Sequence, residues 1–422
     1  MVQTLSLMPG VTLRCYPDTR FHQGCLSFQF LRYMDREETA MNALLPAVLL
    51  RGTREHPDLR AITQKLDDLY GASVDTLIRR IGDYQAVGLY CNFMEDAFAL
   101  PGDKVLEPML DFVGQLLFDP VTEDGIFHRE FVESEKRNLI TALQTEKNDK
   151  RAYAAAQMLR KMCAADTFGI PRLGEEVQVA AITAEGLWRH YRKLLTESPV
   201  EVFYVGSVDP AVVAEKVKAL LGGFHREVNT LPEQTPFCDG GNGGEYTETM
   251  NITQGKLSMG FVTEITNRDP RFAAMQVFNT LFGAGMTSKL FVNVREKMSL
   301  CYHIGSGYYG SKGILTVSAG IDCDKEQPVK AEVLAQLDAC KRGEMTPEEL
   351  AAAKEAVLSA LRGIYDSPGS IEGFFSVRAI GGLDMTVEQY RLAVENVELA
   401  DVVAAAETVR LHTSYFLKGV EA

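Results

Sequence analysis

The sequence predicts an α/β protein of two similar domains, each a mixed, largely antiparallel sheet with helices mainly on one face. The chain has 422 residues, more than a single hydrophobic core usually serves. The order of strand and helix patterns in the first half recurs in the second, which indicates an internal duplication. A glycine-rich segment separates the halves. We therefore expect an N-terminal domain over residues 1–225, a linker over 226–245 and a C-terminal domain over 246–422.

The first half alternates period-two patterns, typical of strands, with period-3.6 patterns, typical of helices. Its predicted elements are strands over residues 5–14 and 26–33, helices over 38–50 and 58–70, strands over 72–81 and 84–93, helices within 104–194, a strand over 200–208 and a helix over 210–221. The second predicted helix stops before Gly71, because glycine readily adopts the left-handed conformation that ends helices.

The linker ends in CDGGNGGEY, where closely spaced glycines resist regular structure. Such a segment fits a hinge and equally an ordinary solvated connector, and the sequence does not separate the two. The second half then repeats the earlier order, with strands over 245–253 and 255–262, helices over 271–283 and 288–297, strands over 300–309 and 313–321, and a helical tail ending in a strand over 413–420. Thr346 and Glu349 flank Pro347 in a capping-box pattern that predicts a helix start.

Composition excludes several classes of function. The formal net charge of -14 disfavours nonspecific binding to nucleic acid or to anionic membranes. The eight cysteines are scattered without a CxxC pair, which favours reduced thiols over a disulfide framework or a zinc knuckle. No signal peptide and no run of about 18 apolar residues is present, so we predict a soluble, cytoplasmic protein.

Common catalytic motifs are absent or lack the required context. GSGYYG, from Gly305 to Gly310, matches a dinucleotide-binding pattern, but a strand follows it where a helix is needed. No phosphate-binding loop or nucleophile elbow occurs. His128 lies near three glutamates, yet interleaved basic residues make a solvated helix face the simpler interpretation of this stretch.

Several segments together resemble the pitrilysin/insulinase family of zinc peptidases, and especially its short members similar to mitochondrial processing peptidase subunits. FNTLFGAGMTSKLFVNVREKMSLCYHIGS resembles the family's glycine turn and RExxxLxY segment. VFYVGSVDPAVV is similar to the close of its first domain, and LLRGT with LDDLYGASVDT to the region after its HxxEH zinc motif. The resemblance spans nearly the whole chain and implies a fold like that of the processing peptidases.

The resemblance also implies that the zinc site has been lost. Ala43 and Ala47 occupy the two histidine positions of HxxEH, and Pro46 occupies the position of the glutamate that activates water. The third ligand position is Ala142, seven residues after Glu135, which matches an earlier glutamate of the family. We therefore expect no catalytic residue, no metal ligand and no cofactor on this chain, with zinc held by a partner.

Arg295 and Tyr302 match residues that hold the substrate backbone in active members of the family. The resemblance implies that they bind peptide here and polarise the scissile carbonyl with a charged donor and a hydroxyl. The alternative is structural: Arg295 pairs with a neighbouring carboxylate, and Tyr302 packs at the start of a strand.

These features predict a non-catalytic subunit that pairs with an HxxEH-bearing homologue and helps bind peptide substrates for processing. The chain would then be no enzyme by itself but part of a heterodimeric metalloendopeptidase, with a homodimer in isolation left open. Nucleic acid and membranes are not expected partners. Two alternatives remain, namely a structural or assembly protein without a proteolytic role and an active zinc endopeptidase with unconventional ligands.

Overall fold

A computed structural model describes residues 2–223, 225–383 and 385–419. The chain begins with strands β1 (Gln3–Met8), β2 (Val11–Pro17) and β3 (Gln23–Tyr33), followed by helices α1 (Thr39–Leu49) and α2 (Leu59–Asp68). Next come strands β4 (Ser73–Ile81) and β5 (Tyr84–Met94), helix α3 (Leu106–Phe118) and the short strands β6 (Thr122–Glu123) and β7 (Ile126–Phe127). The first half ends with helices α4 (Arg129–Glu146), α5 (Lys150–Met162), α6 (Glu176–Ala181) and α7 (Ala184–Glu197), strand β8 (Val200–Gly206) and helix α8 (Pro210–Leu221).

The second half contains strands β9 (Gly244–Met250) and β10 (Gly255–Val262), helix α9 (Phe272–Asn279), π-helical segments Thr280–Ala284 and Leu290–Lys297, strands β11 (His303–Tyr309) and β12 (Ile314–Ile321), helices α10 (Glu326–Lys341), α11 (Pro347–Gly363), α12 (Pro368–Gly381), α13 (Val387–Glu395) and α14 (Leu399–Glu407), and strand β13 (Arg410–Gly419). Short 3-10 turns occur at Asp96–Phe98, Thr167–Gly169 and Ile364–Asp366. Within the three described ranges, no helix has both the length and the apolarity that crossing a lipid bilayer requires.

The chain forms two compact units that exchange segments. Unit 1 comprises Met1–Gln144, Pro171–Glu233 and Ile364–Val377, and unit 2 comprises Thr145–Ile170, Gln234–Gly363 and Arg378–Ala422. Each unit therefore includes a piece from the other half of the sequence. The predicted ranges 1–225 and 246–422 contain no such exchange, and as domain boundaries they stay a prediction.

The sheet of unit 1 has six strands in the order β1-β2-β8-β3-β5-β4. Neighbouring strands are antiparallel except β2 and β8, which are parallel. Side chains of β3 are buried continuously from Gly24 to Arg32, so both faces of this central strand are covered. Leu26, Phe28 and Phe30 belong to the main apolar core, which they share with residues of α1, α3 and α7.

The exchanged segment Ile364–Val377 covers the opposite face of β3, towards which the odd-numbered side chains point. Its Ile371 joins Cys25 in a small apolar cluster. The next residue, Glu372, is fully buried and accepts hydrogen bonds from Ser27 Oγ at 2.7 Å and from both terminal nitrogens of Arg79 at 2.8 and 2.7 Å. This charged group is therefore paired and hydrogen-bonded where it is buried.

The sheet of unit 2 has five strands in the order β11-β12-β10-β13-β9, antiparallel except for the parallel pair β13 and β9. Helix α5, from the first half of the sequence, packs on this sheet. A Cβ atom at Gly260 would lie 2.6 Å from the sulfur atoms of both Met158 and Met162, so glycine permits the close approach. Lys312, fully buried, forms an ion pair with Asp166 at 3.0 Å beside this helix.

The two sheets share one plan. The order β9-β13-β10-β12-β11 in unit 2 matches β2-β8-β3-β5-β4 in unit 1, and each begins with a parallel pair. The predicted fold class, two similar domains with mixed, largely antiparallel sheets, is confirmed. GSGYYG lies in β11 and the turn that leads to β12, where the sequence predicted a following strand.

The predicted linker contains neither helix nor strand among its described residues before Gly244. Backbone hydrogen bonds hold it within each unit, from Asn229 N to Glu197 O at 2.8 Å in unit 1 and from Phe237 N to Lys312 O at 2.8 Å in unit 2. Both ends are thus anchored, and a hinge role stays a prediction.

Candidate functional site

The positions of the family's zinc motif lie on α1. Ala43 and Pro46 are buried, and Ala47 is half-buried. Proline is tolerated here although its nitrogen cannot donate to the carbonyl of Asn42, four residues earlier. The side chains at all three motif positions are aliphatic and offer neither a lone pair for a metal ion nor a base for a water molecule.

Helix α4 carries the position of the third ligand. Ala142 is exposed there, and Glu135 is engaged by protein groups instead. One carboxylate oxygen accepts from Arg51 Nη1 and the other from Asn138 Nδ2, each at 3.0 Å. The Arg51 guanidinium also lies over the ring of Phe131, 4.8 Å from its centre. Glu135 therefore ties the end of α1 to α4.

The residues at these positions do not fit a zinc ion. Zinc in proteins is bound by cysteine, histidine or acidic side chains, usually four ligands or three with water. Ala43, Ala47 and Ala142 supply none of these donors. Across residues 2–223, 225–383 and 385–419, no group of three or more His, Cys, Asp or Glu side chains is placed to hold a metal ion.

A buried polar network surrounds Asn42 of α1. Asn42 donates from Nδ2 to Gln85 Oε1 at 2.8 Å, which leaves its Oδ1 as an acceptor, 2.6 Å from His190 Nε2. The proton of the neutral imidazole is therefore assigned to Nε2. Gln85 in turn donates to Arg172 O at 2.8 Å. Burial lowers the pKa of His190 to about 4, so the ring is neutral at pH 7.

Arg295 lies in the π-helical segment Leu290–Lys297 of unit 2. Its side chain is 39% exposed, with Nη1 3.4 Å from Glu296 Oε1. The guanidinium lies 4.6 Å from the ring centre of Phe291. Burial raises the pKa of the nearby Cys301 thiol to about 11, an effect that the positive charge of Arg295 opposes. Arg295 is thus a partly solvated cation beside the start of β11.

Tyr302 immediately precedes β11 and is 59% exposed. Its backbone N–H donates to Gly320 O at 2.8 Å, which holds it next to β12. Its phenol donates to Asp322 Oδ1 at 2.9 Å, and this hydrogen bond raises the pKa of Tyr302. Arg295 thus contacts a neighbouring carboxylate, and Tyr302 is more than half exposed. Peptide contact by the two residues stays a prediction.

Sequence reasoning connected neither the network around Asn42 nor Asp322 to the site. Asn42 carried a usable signal, since it is polar within the otherwise apolar run NALLPAVLL. Asp322 carried none, because its contact with Tyr302 depends on the register in which β11 pairs with β12, where His303 lies opposite Gly320.

Comparisons with known proteins agree with this geometry. The family model described as "Peptidase M16 inactive domain" matches residues 181–357. A relative from Bacillus subtilis (strain 168), named "Probable inactive metalloprotease YmfF", is 30% identical over 412 residues, which cover 98% of this chain and 96% of the relative. A protein named "Uncharacterized zinc protease YmxG" from the same organism is 22% identical over 347 residues, which cover 80% of this chain and 82% of the relative.

A solved structure of a conserved protein from Enterococcus faecalis V583 superposes with a TM-score of 0.89 at 26% identity, covering 99% of each chain. The similarity to the protein named "Probable inactive metalloprotease YmfF", together with alanine and proline at the zinc positions, makes this chain a member of the M16 (pitrilysin/insulinase) peptidase family that lacks the zinc motif.

Proposed function

We propose that this chain is the non-catalytic subunit of a two-subunit metalloendopeptidase, in which an HxxEH-bearing homologue supplies the zinc. One observation carries the proposal: the zinc positions hold alanine and proline, while the peptide-contact positions still hold Arg295 and Tyr302, both partly or largely exposed.

Within such a complex, Arg295 and Tyr302 contact the backbone of the peptide substrate. An arginine is a permanently charged donor, and a charged donor aimed at a carbonyl stabilises the negative charge that develops during peptide attack. This chain then contributes orientation and electrostatics to the substrate, while its partner contributes metal and base.

The chemistry of the whole chain supports a cytoplasmic setting. All eight cysteines are free thiols, six of them buried, as is common in a reducing compartment. The net charge of -14 supports a protein or peptide partner over nucleic acid or an anionic membrane.

The test is cleavage of a quenched, unstructured peptide by the HxxEH-bearing homologue from the same genome, with and without this chain. We expect this chain to raise the cleavage rate, and Arg295→Ala to lower that gain about tenfold or more, because a charged contact to the reacting carbonyl is lost. The matched control is Arg342→Ala, which removes an exposed arginine that also pairs with a nearby carboxylate, Glu344.

The control variant is expected to retain the gain. A mixture that cleaves no faster than the homologue alone would refute the subunit role. If the Arg295→Ala variant raised the cleavage rate as much as the Arg342→Ala variant does, Arg295 would not contact the peptide.

A further inference from the structure

The two sheets differ at one edge. In unit 1, strand β1 lies outside β2 and pairs with it in antiparallel orientation. Strand β9 takes the place of β2 in unit 2, and the five-stranded sheet ends with it. Within residues 2–223, 225–383 and 385–419, β9 pairs with β13 only. Since the two sheets otherwise share one strand order, unit 1 shows which element fits beside β9, namely an antiparallel strand.

Strand β9 is fixed to its own sheet along its whole length. It pairs with β13 from Gly244 to Met250 in continuous parallel register. Glu248 accepts hydrogen bonds from Tyr153 Oη at 3.1 Å and from Tyr415 Oη. The outer edge of β9 is therefore held in an extended conformation before any second strand arrives, which lowers the entropy cost of binding one.

The devices by which proteins usually protect an exposed edge are missing from β9. Protected edges are typically very short, bulged or marked by proline or lysine. β9 is a strand of 7 residues, GEYTETM, without any of these features. Thr247 and Thr249 are exposed, and β-branched residues of this kind favour strand pairing. The exposed carboxylate of Glu245 is compensated by Lys330, which donates to its Oε1.

The sequence of β9 is also compatible with a second copy of itself. Two-fold symmetry pairs a strand with its own copy in antiparallel orientation, which is the orientation of β1 on β2. Thr247 is the middle residue of β9, so the register with the most pairs places it opposite Thr247 of the second copy. Glu245 then lies opposite Thr249 on one face of the sheet, and on the other face Tyr246 lies opposite Glu248. Like charges therefore do not face each other, and the central threonine pair is favourable.

We propose that the outer edge of β9 is a homodimer interface, at which the unit 2 sheets of two copies join through antiparallel pairing of β9 about Thr247. The occupant is a second copy because β9 itself has the length, orientation and charge pattern that this edge accepts. The inference goes beyond the proposed function and does not depend on it, since it involves neither zinc nor substrate. A pair of such short strands is smaller than most permanent interfaces, so we expect the dimer to dissociate in the micromolar range.

The test is sedimentation equilibrium of the purified full chain at concentrations from micromolar to several hundred micromolar. We expect the average mass to rise from that of a monomer towards twice that value. Thr247→Lys places two lysines opposite each other on the symmetry axis and should weaken the dimer about tenfold or more. The matched control is Thr76→Lys, the same change at an exposed threonine of β4, an edge strand of unit 1, and it should dimerise like the wild type.

Cross-linking checks the register by a second route. The background variant is Cys238→Ser, which removes an exposed thiol. In that background, a short bis-maleimide cross-linker should join Thr247→Cys to its own copy, because directly opposite Cβ atoms lie about 5 Å apart. The control, Thr76→Cys, should stay monomeric under the same treatment.

A chain that is monomeric at every concentration would refute the interface. A dimer that Thr247→Lys weakens no more than Thr76→Lys does would also refute it, because the contact would then lie elsewhere. If the chain stays monomeric and Thr247→Lys instead weakens its complex with the HxxEH-bearing homologue, the edge of β9 binds that homologue and the homodimer is wrong. The peptidase subunit role is tested separately by cleavage and stands or falls on its own result.

Discussion

Replacing Glu372 by alanine is expected to lower the free energy of unfolding of unit 1 by about 2–4 kcal/mol, because it removes a fully buried carboxylate that pairs with the partly buried Arg79 and leaves the buried Ser27 without its acceptor. Glu372 is fully buried on the sheet of unit 1 and accepts from Ser27 and, through both oxygens, from Arg79. The variant strips all these donors of their acceptor at once. It also releases the exchanged segment Ile364–Val377 from its polar anchor.

Urea unfolding followed by the fluorescence of Trp188 measures this effect, since the chain's single tryptophan lies in unit 1. The control is Glu185→Ala, which removes a 51% exposed carboxylate paired with Arg129 and should cost less than about 1 kcal/mol. Equal costs for the two variants would mean that Glu372 does not anchor the exchanged segment.

Acidification from pH 7 to pH 4 is expected to cost the wild-type chain up to about 3 kcal/mol through His190 alone. Burial lowers the pKa of His190 from 6.5 to about 4 in the folded chain. Between these values the unfolded chain binds a proton that the folded chain does not. The stability that the neutral His190 contributes is therefore fully present above pH 6.5 and is lost as the pH falls towards 4.

The comparison is with His190→Gln, whose amide can still donate to Asn42 Oδ1 but does not titrate. Urea unfolding, followed by circular dichroism at pH 7, 5.5 and 4, gives the free energy of unfolding of each protein as a function of pH. The wild type should lose more of this free energy on acidification than the variant. The same pH dependence of the free energy of unfolding in both proteins would show that His190 is protonated in the folded chain as readily as in the unfolded one.

Local patterns predicted most elements well. The strand over residues 255–262 and the helix over 210–221 have the predicted bounds, because turn residues and a Pro at the first helical turn delimit them. The capping box at Thr346 is present, with reciprocal hydrogen bonds to Glu349 at 2.9 and 3.2 Å. Turn and capping residues determine the conformation of the few residues around them, so their effect can be predicted from a single sequence.

Other elements differ from the prediction for physical reasons. The strand predicted over residues 5–14 is a hairpin of β1 and β2 that turns at Gly10, where φ is +70°. The helix predicted over 271–283 changes from α to π geometry at Thr280. The strand predicted over 413–420 is part of the longer β13, and its last residue, Val420, lies outside the described residues.

The exchange of segments was beyond sequence reasoning. An amphipathic pattern shows that α5 has an apolar face, but not which of two similar sheets that face will cover. The loss of the zinc motif could be recognised because it concerns the identity of four residues. The contact between Tyr302 and Asp322 could not, since it depends on tertiary packing.

The residues at the zinc positions imply that this chain has no zinc peptidase site of its own. The most direct test is metal content by mass spectrometry on the purified chain, with cleavage of the quenched peptide measured on the same sample. We expect no stoichiometric zinc and no cleavage by the chain alone. One zinc per chain with cleavage that a chelator abolishes would contradict the inference from Ala43, Pro46, Ala47 and Ala142.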